Sequence, residues 1–321
     1  MTTSSNIEKD KGAERGTASS GLDRQIDRLE NRRASKEEAR AAGDLKGQKA
    51  RSSAERLLTR SLSGAIYALV TLACLFAGPV TTTLLIAAEA WLCCSEFFRI
   101  CRMGGRMPNE GVGLAAALLF PLAAYANGLL ALTLVIFVLL MACAVWYVLT
   151  PRANIADVAV TAFGPVYTSL AFSSIVLIRN ADPGLTGALL ALAVMLSIWG
   201  NDAMAYFVGS AIGRHKLAPR ISPSKSVEGF VGGLVGSVLV WVLVALFLVP
   251  HLDVVLAGVC GLVVGIAAVF GDLFESRIKR GAGVKDSGNL IPGHGGLLDR
   301  SDSMLFGGMA AFFLLRFGGI L

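Results

Sequence analysis

Acidic and basic side chains concentrate in one segment, residues 271–303, of a chain that is otherwise mostly apolar. The segment contains five acids and five bases, namely Asp272, Glu275, Asp286, Asp299, Asp302, Arg277, Lys279, Arg280, Lys285 and Arg300. Clustered carboxylates repel one another unless a cation lies between them. Carboxylate oxygens suit Mg²⁺, which takes one or two protein carboxylates together with substrate phosphates, while Lys and Arg bind phosphate oxygens. The segment therefore predicts a magnesium-assisted site for a phosphorylated substrate.

Glycines in the same segment would let the backbone approach a ligand and present N–H groups to it. They are Gly281, Gly283, Gly288, Gly293, Gly295 and Gly296. The alternative interpretation is an ordinary charged loop whose side chains form ion pairs. Such a loop would need neither so many glycines nor acids at both of its ends, so the binding site is favoured.

The spacing of these residues indicates which of them share a helix face. Glu275, Ser276 and Lys279 follow Asp272 by three, four and seven residues, which places all four on one face of a helix. Asp299 and Asp302 are three apart at the start of the last apolar run, so a helix there would point both carboxylates the same way. Asp272 and Asp299 would then lie at the ends of two consecutive helices, which can bring them together.

A second polar segment covers residues 201–229. Asp202 lies inside a long apolar run, where burying an acid is expensive and usually marks a functional site. Lys225 lies among three serines, Ser222, Ser224 and Ser226, and this group could bind phosphate. Ser226 could also be the N-cap of a helix beginning near residue 227, and the two roles are compatible.

His294, the histidine of the first polar segment, could be a base, a phosphate donor or a structural group of its loop, and we do not assign it to catalysis. The histidines have no metal-ligand spacing.

The elements that must position these groups are membrane-spanning helices. Of 321 residues, 54% are hydrophobic and 16% are charged, which disfavours a soluble globule, a disordered protein and a disulfide scaffold. A span needs about 20 mostly apolar residues. Nine candidate runs lie near residues 61–77, 80–98, 111–126, 128–149, 157–178, 184–212, 227–249, 253–272 and 303–319. The run 184–212 could be tilted, broken or formed by two half-helices.

The positive charges give these spans an orientation. With residues 1–60 in the cytoplasm, thirteen Lys and Arg of the remaining chain fall on the cytoplasmic side and two, Arg179 and Arg316, on the other. We therefore predict an all-α polytopic membrane protein with about nine transmembrane helices and a polar active site on the cytoplasmic side. Arg179 is far from that site in this topology, so neutralising it should leave activity nearly unchanged.

Residues 1–60 differ from the rest of the chain, with 14 Lys and Arg against 10 Asp and Glu and no run long enough to cross a bilayer. We expect a charged cytoplasmic tail that is partly disordered, followed by a transmembrane domain over residues 61–321. Since no organelle-targeting signal is evident, we expect the protein to lie in the bacterial inner (cell) membrane.

Both polar segments carry motifs of a known family. The runs Ser276–Arg280, Lys285–Gly288, Pro292–Gly296 and Leu298–Asp302 together resemble the signature of phosphatidate cytidylyltransferases, also called CDP-diacylglycerol synthases. The segment from Asn201 to Gly229 is similar to a second block of that family. The resemblance covers roughly residues 60–321. Two mild departures are Ser224, where a Lys is expected, and Ser226, where Thr is common.

The resemblance implies that phosphatidate attacks the α-phosphate of CTP, giving CDP-diacylglycerol and pyrophosphate, with Mg²⁺ required and a second cation near the same acids. It implies metal ligands among Asp272, Asp299 and Asp302. The other residues expected to act in catalysis are Asp286 and Lys285. Those expected to bind substrate are Asp202, Ser222, Ser224, Lys225, Ser226, Ser276, Lys279, Arg280, His294 and Arg300.

Two alternative functions fit part of this pattern. A related CTP-dependent lipid kinase, of the polyprenol type, would share the spans and the nucleotide but release CDP. A cation or phosphate transporter would place its acids mid-membrane in repeated, broken helices. The expected partners are CTP, phosphatidate and membrane lipid, with no nucleic acid. The oligomeric state stays open, with a homodimer as one candidate.

Overall fold

The computed structural model describes residues 28, 31–33, 35, 37, 61–288, 290 and 295–321. The chain divides into two compact units, Met1–Leu58 and Thr59–Leu321. The described residues of the first unit are helical and exposed. Most of the predicted tail, and with it the expected partial disorder, lies outside the described residues. His294 lies outside them as well.

The second unit is built from helices and one hairpin. The elements are α1 (Ser61–Ala77), α2 (Pro79–Met103), α3 (Glu110–Leu149), α4 (Ile155–Pro165), a π-helical turn (Val166–Leu170), α5 (Ala171–Ala181), α6 (Leu185–Ile212), β1 (Lys216–Ala218), β2 (Ser222–Ser226), α7 (Val227–Phe247), α8 (Val254–Gly281) and α9 (Leu298–Phe317).

The helices confirm the prediction of an all-α integral membrane protein. Within the described residues, five helical stretches are long and apolar enough to cross a bilayer, and they lie in α3, α4 to α5, α6, α7 and α8. The helix α1 is apolar but shorter. The helices α2 and α9 have charged residues among their apolar ones, and both have many buried positions. The count of nine spans stays a prediction.

The 40 residues of α3 are interrupted where the sequence separates two predicted spans. Asn127 and Gly128 leave helical geometry, and Gly128 has a φ of 56°, which glycine adopts without strain. A continuous helix of this length would measure about 60 Å, twice the ~30 Å hydrocarbon core. The interruption gives two segments that match the predicted spans 111–126 and 128–149. By contrast, α6 is one unbroken helix, which decides the question left open for residues 184–212.

Small residues bring α6 and α7 into close and extensive contact. Gly229, Gly232, Gly233 and Gly236 are buried on one side of α7. A Cβ at Gly236 would press on the Gly200 carbonyl oxygen of α6, so a larger residue would push the helices apart. Close backbone approach at small residues is the usual packing of membrane helices. This close packing holds α6 beside the hairpin that follows α6 in the chain.

The hairpin is the one departure from an entirely helical unit in the described residues. Its strands are antiparallel, with Lys216 opposite Ser226 and Ala218 opposite Ser222. The chain turns between them through a hydrogen bond from Ile221 N to Ala218 O, 3.1 Å. Ser226 then begins α7 as its N-cap, because its side chain accepts a hydrogen bond from Gly229 N. The predicted capping role of Ser226 is therefore confirmed.

Arg179 is a structural residue in this fold. It is buried, and its guanidinium donates to Leu75 O at 3.0 Å and to the carbonyls of Asp182, Pro183 and Gly184 at 3.0 to 3.3 Å. These bonds join the end of α1 to the α5–α6 loop. The sequence predicted only that Arg179 is remote from the site.

We expect Arg179→Gln to lower the free energy of unfolding by roughly 2 kcal/mol, because hydrogen bonds to a charged group are lost from a buried position. Thermal unfolding of the detergent-solubilised protein would measure this. The exposed Arg152, changed to Gln, is the control and should not alter the melting temperature. An unchanged melting temperature in Arg179→Gln would contradict the structural role.

Candidate active site

The acids of the last two helices are brought together by a close contact between α8 and α9. Gly271 lies against the backbone carbonyl of Asp302, and a Cβ at position 271 would overlap that oxygen. Asp272, the next residue, is close enough to Asp302 for their charges to interact. Asp299 and Asp302 lie in the first turns of α9, as their spacing predicted. The expected meeting of the α8 and α9 acids is therefore present.

Most of the predicted site residues line a single cavity of about 920 Å³. These residues are Asp202, Ser222, Ser224, Asp272, Ser276, Lys279, Arg280, Lys285, Asp286, Asp299, Arg300 and Asp302. Two others, Lys225 and Ser226, line an adjoining cavity of about 400 Å³, which shares Asp202, Ser224 and Asp272 with the first. The two polar segments of the sequence thus meet at one place.

The hairpin supplies a cation to Asp272. Lys225 Nζ lies 2.5 Å from one Asp272 carboxylate oxygen, and the Ser276 hydroxyl donates to the other at 3.2 Å. Ser222 and Ser224 are two residues apart in β2, and their hydroxyl oxygens are 3.4 Å apart at the cavity wall. A strand places alternate residues on one side, so the SPSKS run presents these two hydroxyls together.

Lys279 joins two acids in the buried part of the site. Its ammonium forms ion pairs with Glu275, one turn earlier on α8, and with Asp299 at 2.6 Å. The side chain of Lys279 is 10% exposed, and those of Glu275 and Asp299 are 1% and 9% exposed. Buried charges persist only when they are paired, so each of these groups depends on the others.

Asp299 also anchors the segment that precedes α9. Its carboxylate accepts hydrogen bonds from Ser287 N at 3.0 Å and from Gly296 N at 3.0 Å. Asp299 precedes the predicted span 303–319. Burial raises the pKa of its carboxyl, but the hydrogen bonds from Lys279, Gly296 and Ser287 outweigh burial, so the pKa lies below the ordinary aspartate value.

Aromatic residues form the apolar wall behind the acids. The π-helical turn places Tyr167 5.3 Å from Phe274 and 5.6 Å from Phe163, between ring centroids, with Phe97 and Phe306 beside it. Turns of this kind are frequent at functional sites. Phe274 directly precedes Glu275 on α8, so the aromatic wall lies near the buried ion pairs.

The predicted groups differ in their exposure. Asp202 is exposed toward the cavity, although its neighbour Asn201 is fully buried against α7. Arg280, Lys285 and Asp286 are exposed at the cavity rim, whereas Asp302 is buried. The exposed groups could meet an incoming ligand first, and the buried ones hold the base of the site.

Three acids of the site region were missing from the predicted set. Glu275 was counted among the charges but given no role, and it is the buried partner of Lys279. Glu89 and Glu96 lie seven residues apart on the buried side of α2. The signal was present, because an acid inside an apolar run is costly and tends to be functional.

The residues present fit a magnesium ion that is shared with a ligand. No group of three or more His, Cys, Asp or Glu side chains in the described part of the chain could hold a metal ion by itself. Mg²⁺, however, needs only one or two carboxylates when phosphates complete its shell. Asp272 and Asp302 line the same cavity and are close enough for their charges to interact. The oxygens of Asp299 already accept hydrogen bonds from Lys279, Ser287 and Gly296.

Comparisons with known proteins cover most of the chain. A family model described as the cytidylyltransferase family matches residues 58–317. The chain is 34% identical over 265 residues to a phosphatidate cytidylyltransferase of Bacillus subtilis (strain 168), covering 80% of this chain and 96% of that protein. It is 36% identical over 248 residues to a phosphatidate cytidylyltransferase of a Synechocystis strain, covering 69% of this chain and 83% of that protein. A phosphatidate cytidylyltransferase of Staphylococcus aureus (strain COL) is 47% identical over 116 residues, covering 36% of this chain and 44% of that protein.

Proposed function

This chain belongs to the cytidylyltransferase family, and on that premise we propose that it transfers the cytidylyl group of CTP to phosphatidate. The products are CDP-diacylglycerol and pyrophosphate. The observation that carries the proposal is the single cavity in which acids from α8 and α9 face bases from the same helices and from the segment between them. The apolar helices around it would keep the diacyl chains in the bilayer.

The reaction needs positioning and charge neutralisation more than a covalent nucleophile. A phosphate oxygen of phosphatidate attacks the α-phosphorus of CTP, and the bond from that phosphorus to the bridging oxygen of the β-phosphate breaks. Because the attacking oxygen is already anionic, no side chain has to remove a proton from it. The electron pair of the broken bond leaves with pyrophosphate.

The cationic side chains of the cavity are assigned to the phosphates. Arg280, Lys285 and Arg300 would contact the triphosphate or the phosphatidate headgroup, and Ser222 and Ser224 would donate hydrogen bonds to the same oxygens. Lys225 is held beside Asp272, so it is placed where the two polar segments meet. Lys279 is buried and orders Asp299.

The proposed cofactor is Mg²⁺, which Asp272 and Asp302 would hold, with Asp299 and Asp286 as the next candidate ligands. When bound, it would supply positive charge to the phosphate oxygens around the reacting phosphorus. A second cation near the same acids is part of the proposal. Asp202, exposed to the cavity beside these acids, would shape the same site.

We place the active site on the cytoplasmic face of a bacterial inner membrane. The support is the charge asymmetry of the loops, because the cavity is lined by the Lys and Arg residues that the positive-inside rule places there. A homodimer stays a candidate, to be tested by light scattering of the solubilised protein.

Purified protein in mixed micelles with phosphatidate and CTP labelled in the α-phosphate tests the function. We expect label to enter the lipid, with one pyrophosphate released per lipid labelled, and we expect EDTA to stop both. A parallel assay uses CTP labelled in the γ-phosphate as the control for CTP labelled in the α-phosphate. If a polyprenol takes the place of phosphatidate, lipid labelled from the γ-position with release of CDP would instead establish a lipid kinase.

A further inference from the structure

Glu96 of α2 is a buried carboxylate that the reaction described above does not use. Both of its oxygens accept hydrogen bonds. The donors are the Ser287 hydroxyl at 2.9 Å and Leu297 N at 3.1 Å, both in the segment between α8 and α9, and Leu298 N, the first residue of α9, at 2.8 Å. These partners lie about 190 to 200 residues away in sequence. A helix that does not line the cavity therefore holds this segment at Ser287 and at its junction with α9.

Two glycines leave room for this carboxylate. A Cβ at Gly288 or Gly296 would press on the Glu96 oxygens. Both glycines are buried, and the space that side chains would fill is taken by the carboxylate. The glycines of this segment were predicted to let the backbone approach a ligand, but these two let it close around Glu96.

Arg99 extends the same contact. It lies one turn after Glu96 on α2, and its guanidinium donates to the carbonyl oxygen of Ser287. Ser287 is therefore held by three groups, since its amide also donates to Asp299. Leu297 and Leu298, the other partners of Glu96, directly precede Asp299.

We propose that Glu96 is a positioning residue for the cytidylyl transfer site. By holding Ser287 it fixes Lys285 and Asp286, the two preceding residues, at the cavity rim. By holding Leu297 and Leu298 it fixes the first turn of α9 and therefore Asp299. The hydrogen bonds that Glu96 accepts from Ser287, Leu297 and Leu298 form what we call the clamp. The expected effect on turnover rests on the proposed function, whereas the clamp itself does not.

The test compares Glu96→Gln with Asp157→Asn. Asp157 is a matched control because it is also buried and also binds a loop amide, Met107 N at 2.9 Å, yet it does not line the cavity. Each change removes a charge and keeps the shape of the side chain. Hydrogen exchange followed by mass spectrometry, thermal unfolding and CTP kinetics would be measured on the full, detergent-solubilised chain.

We expect Glu96→Gln to speed exchange at Leu297 and Leu298 at least tenfold and to lower kcat/KM for CTP about 10- to 100-fold, the usual cost of losing a group that orients site residues. Asp157→Asn should speed exchange at Met107 and leave kcat/KM unchanged, although both variants lose thermal stability. Unchanged exchange in Glu96→Gln would overturn the clamp. Faster exchange with unchanged kinetics would overturn the positioning role. If the wild-type protein transfers no cytidylyl group, the proposed function fails, and the exchange data still decide the clamp.

Discussion

Asp272→Asn is expected to lower the turnover of CTP and phosphatidate by about 100- to 1000-fold, in the range found when a group that stabilises transition-state charge is removed. Asp272 pairs with Lys225, interacts with Asp302 and lies at the meeting point of both cavities. Asparagine keeps the shape of the side chain but removes its negative charge. Release of pyrophosphate from purified protein at saturating Mg²⁺ would measure the effect.

Asp253→Asn is the control for this change. Asp253 caps the opposite end of the same helix through a hydrogen bond from Leu256 N at 3.0 Å, and asparagine caps helices about as well as aspartate. The control should keep full turnover and the same melting temperature. If Asp272→Asn also keeps full turnover, the assignment of Asp272 to the reacting phosphates is wrong.

Lys279→Met is expected to have the largest effect on stability, about 3 to 5 kcal/mol, the usual cost of removing one partner of a buried ion pair. The change leaves the carboxylates of Glu275 and Asp299, which are 1% and 9% exposed, without their shared cation. Asp299 would also lose a hydrogen bond that orients it toward Ser287 and Gly296. Denaturant or thermal unfolding in detergent gives the stability, and the pyrophosphate assay gives the turnover.

The double variant Glu275→Gln/Lys279→Met separates stability from activity. It removes one buried negative charge together with the positive charge, so we expect it to recover much of the lost stability. We expect both variants to be inactive, because Asp299 is without its lysine in each. A double variant as unstable as Lys279→Met alone would show that Glu275 is not the main partner of Lys279.

Sequence spacing predicted the part of the site that lies on neighbouring residues. Asp299 and Asp302 are three apart and are indeed on one helix, and Ser226 is the expected cap of α7. The break at Asn127 and Gly128 was also visible, because these residue types favour turns. In each case the interaction is local, so the sequence contains both partners within a few residues.

The parts that the sequence did not predict depend on distant partners. Glu96 meets Ser287 only when α2 packs beside the segment before α9, and no spacing rule links residues so far apart. The SPSKS run was not recognised as a strand, because three- and five-residue strands have too few positions to show alternation. Arg179 was counted only as a loop charge, since its carbonyl partners carry no sequence signal.

The lining of the large cavity has an electrostatic consequence for how its ligands arrive. Five aspartates and four Lys or Arg side chains face it, and the adjoining Lys225 brings the formal sum to zero. Such an electroneutral chamber has no surplus attraction for a triphosphate, unlike the strongly basic grooves that collect anions by charge alone. We therefore expect counterions to enter together with the nucleotide, which would link the affinity for CTP to the concentration of divalent ions in the surrounding solution.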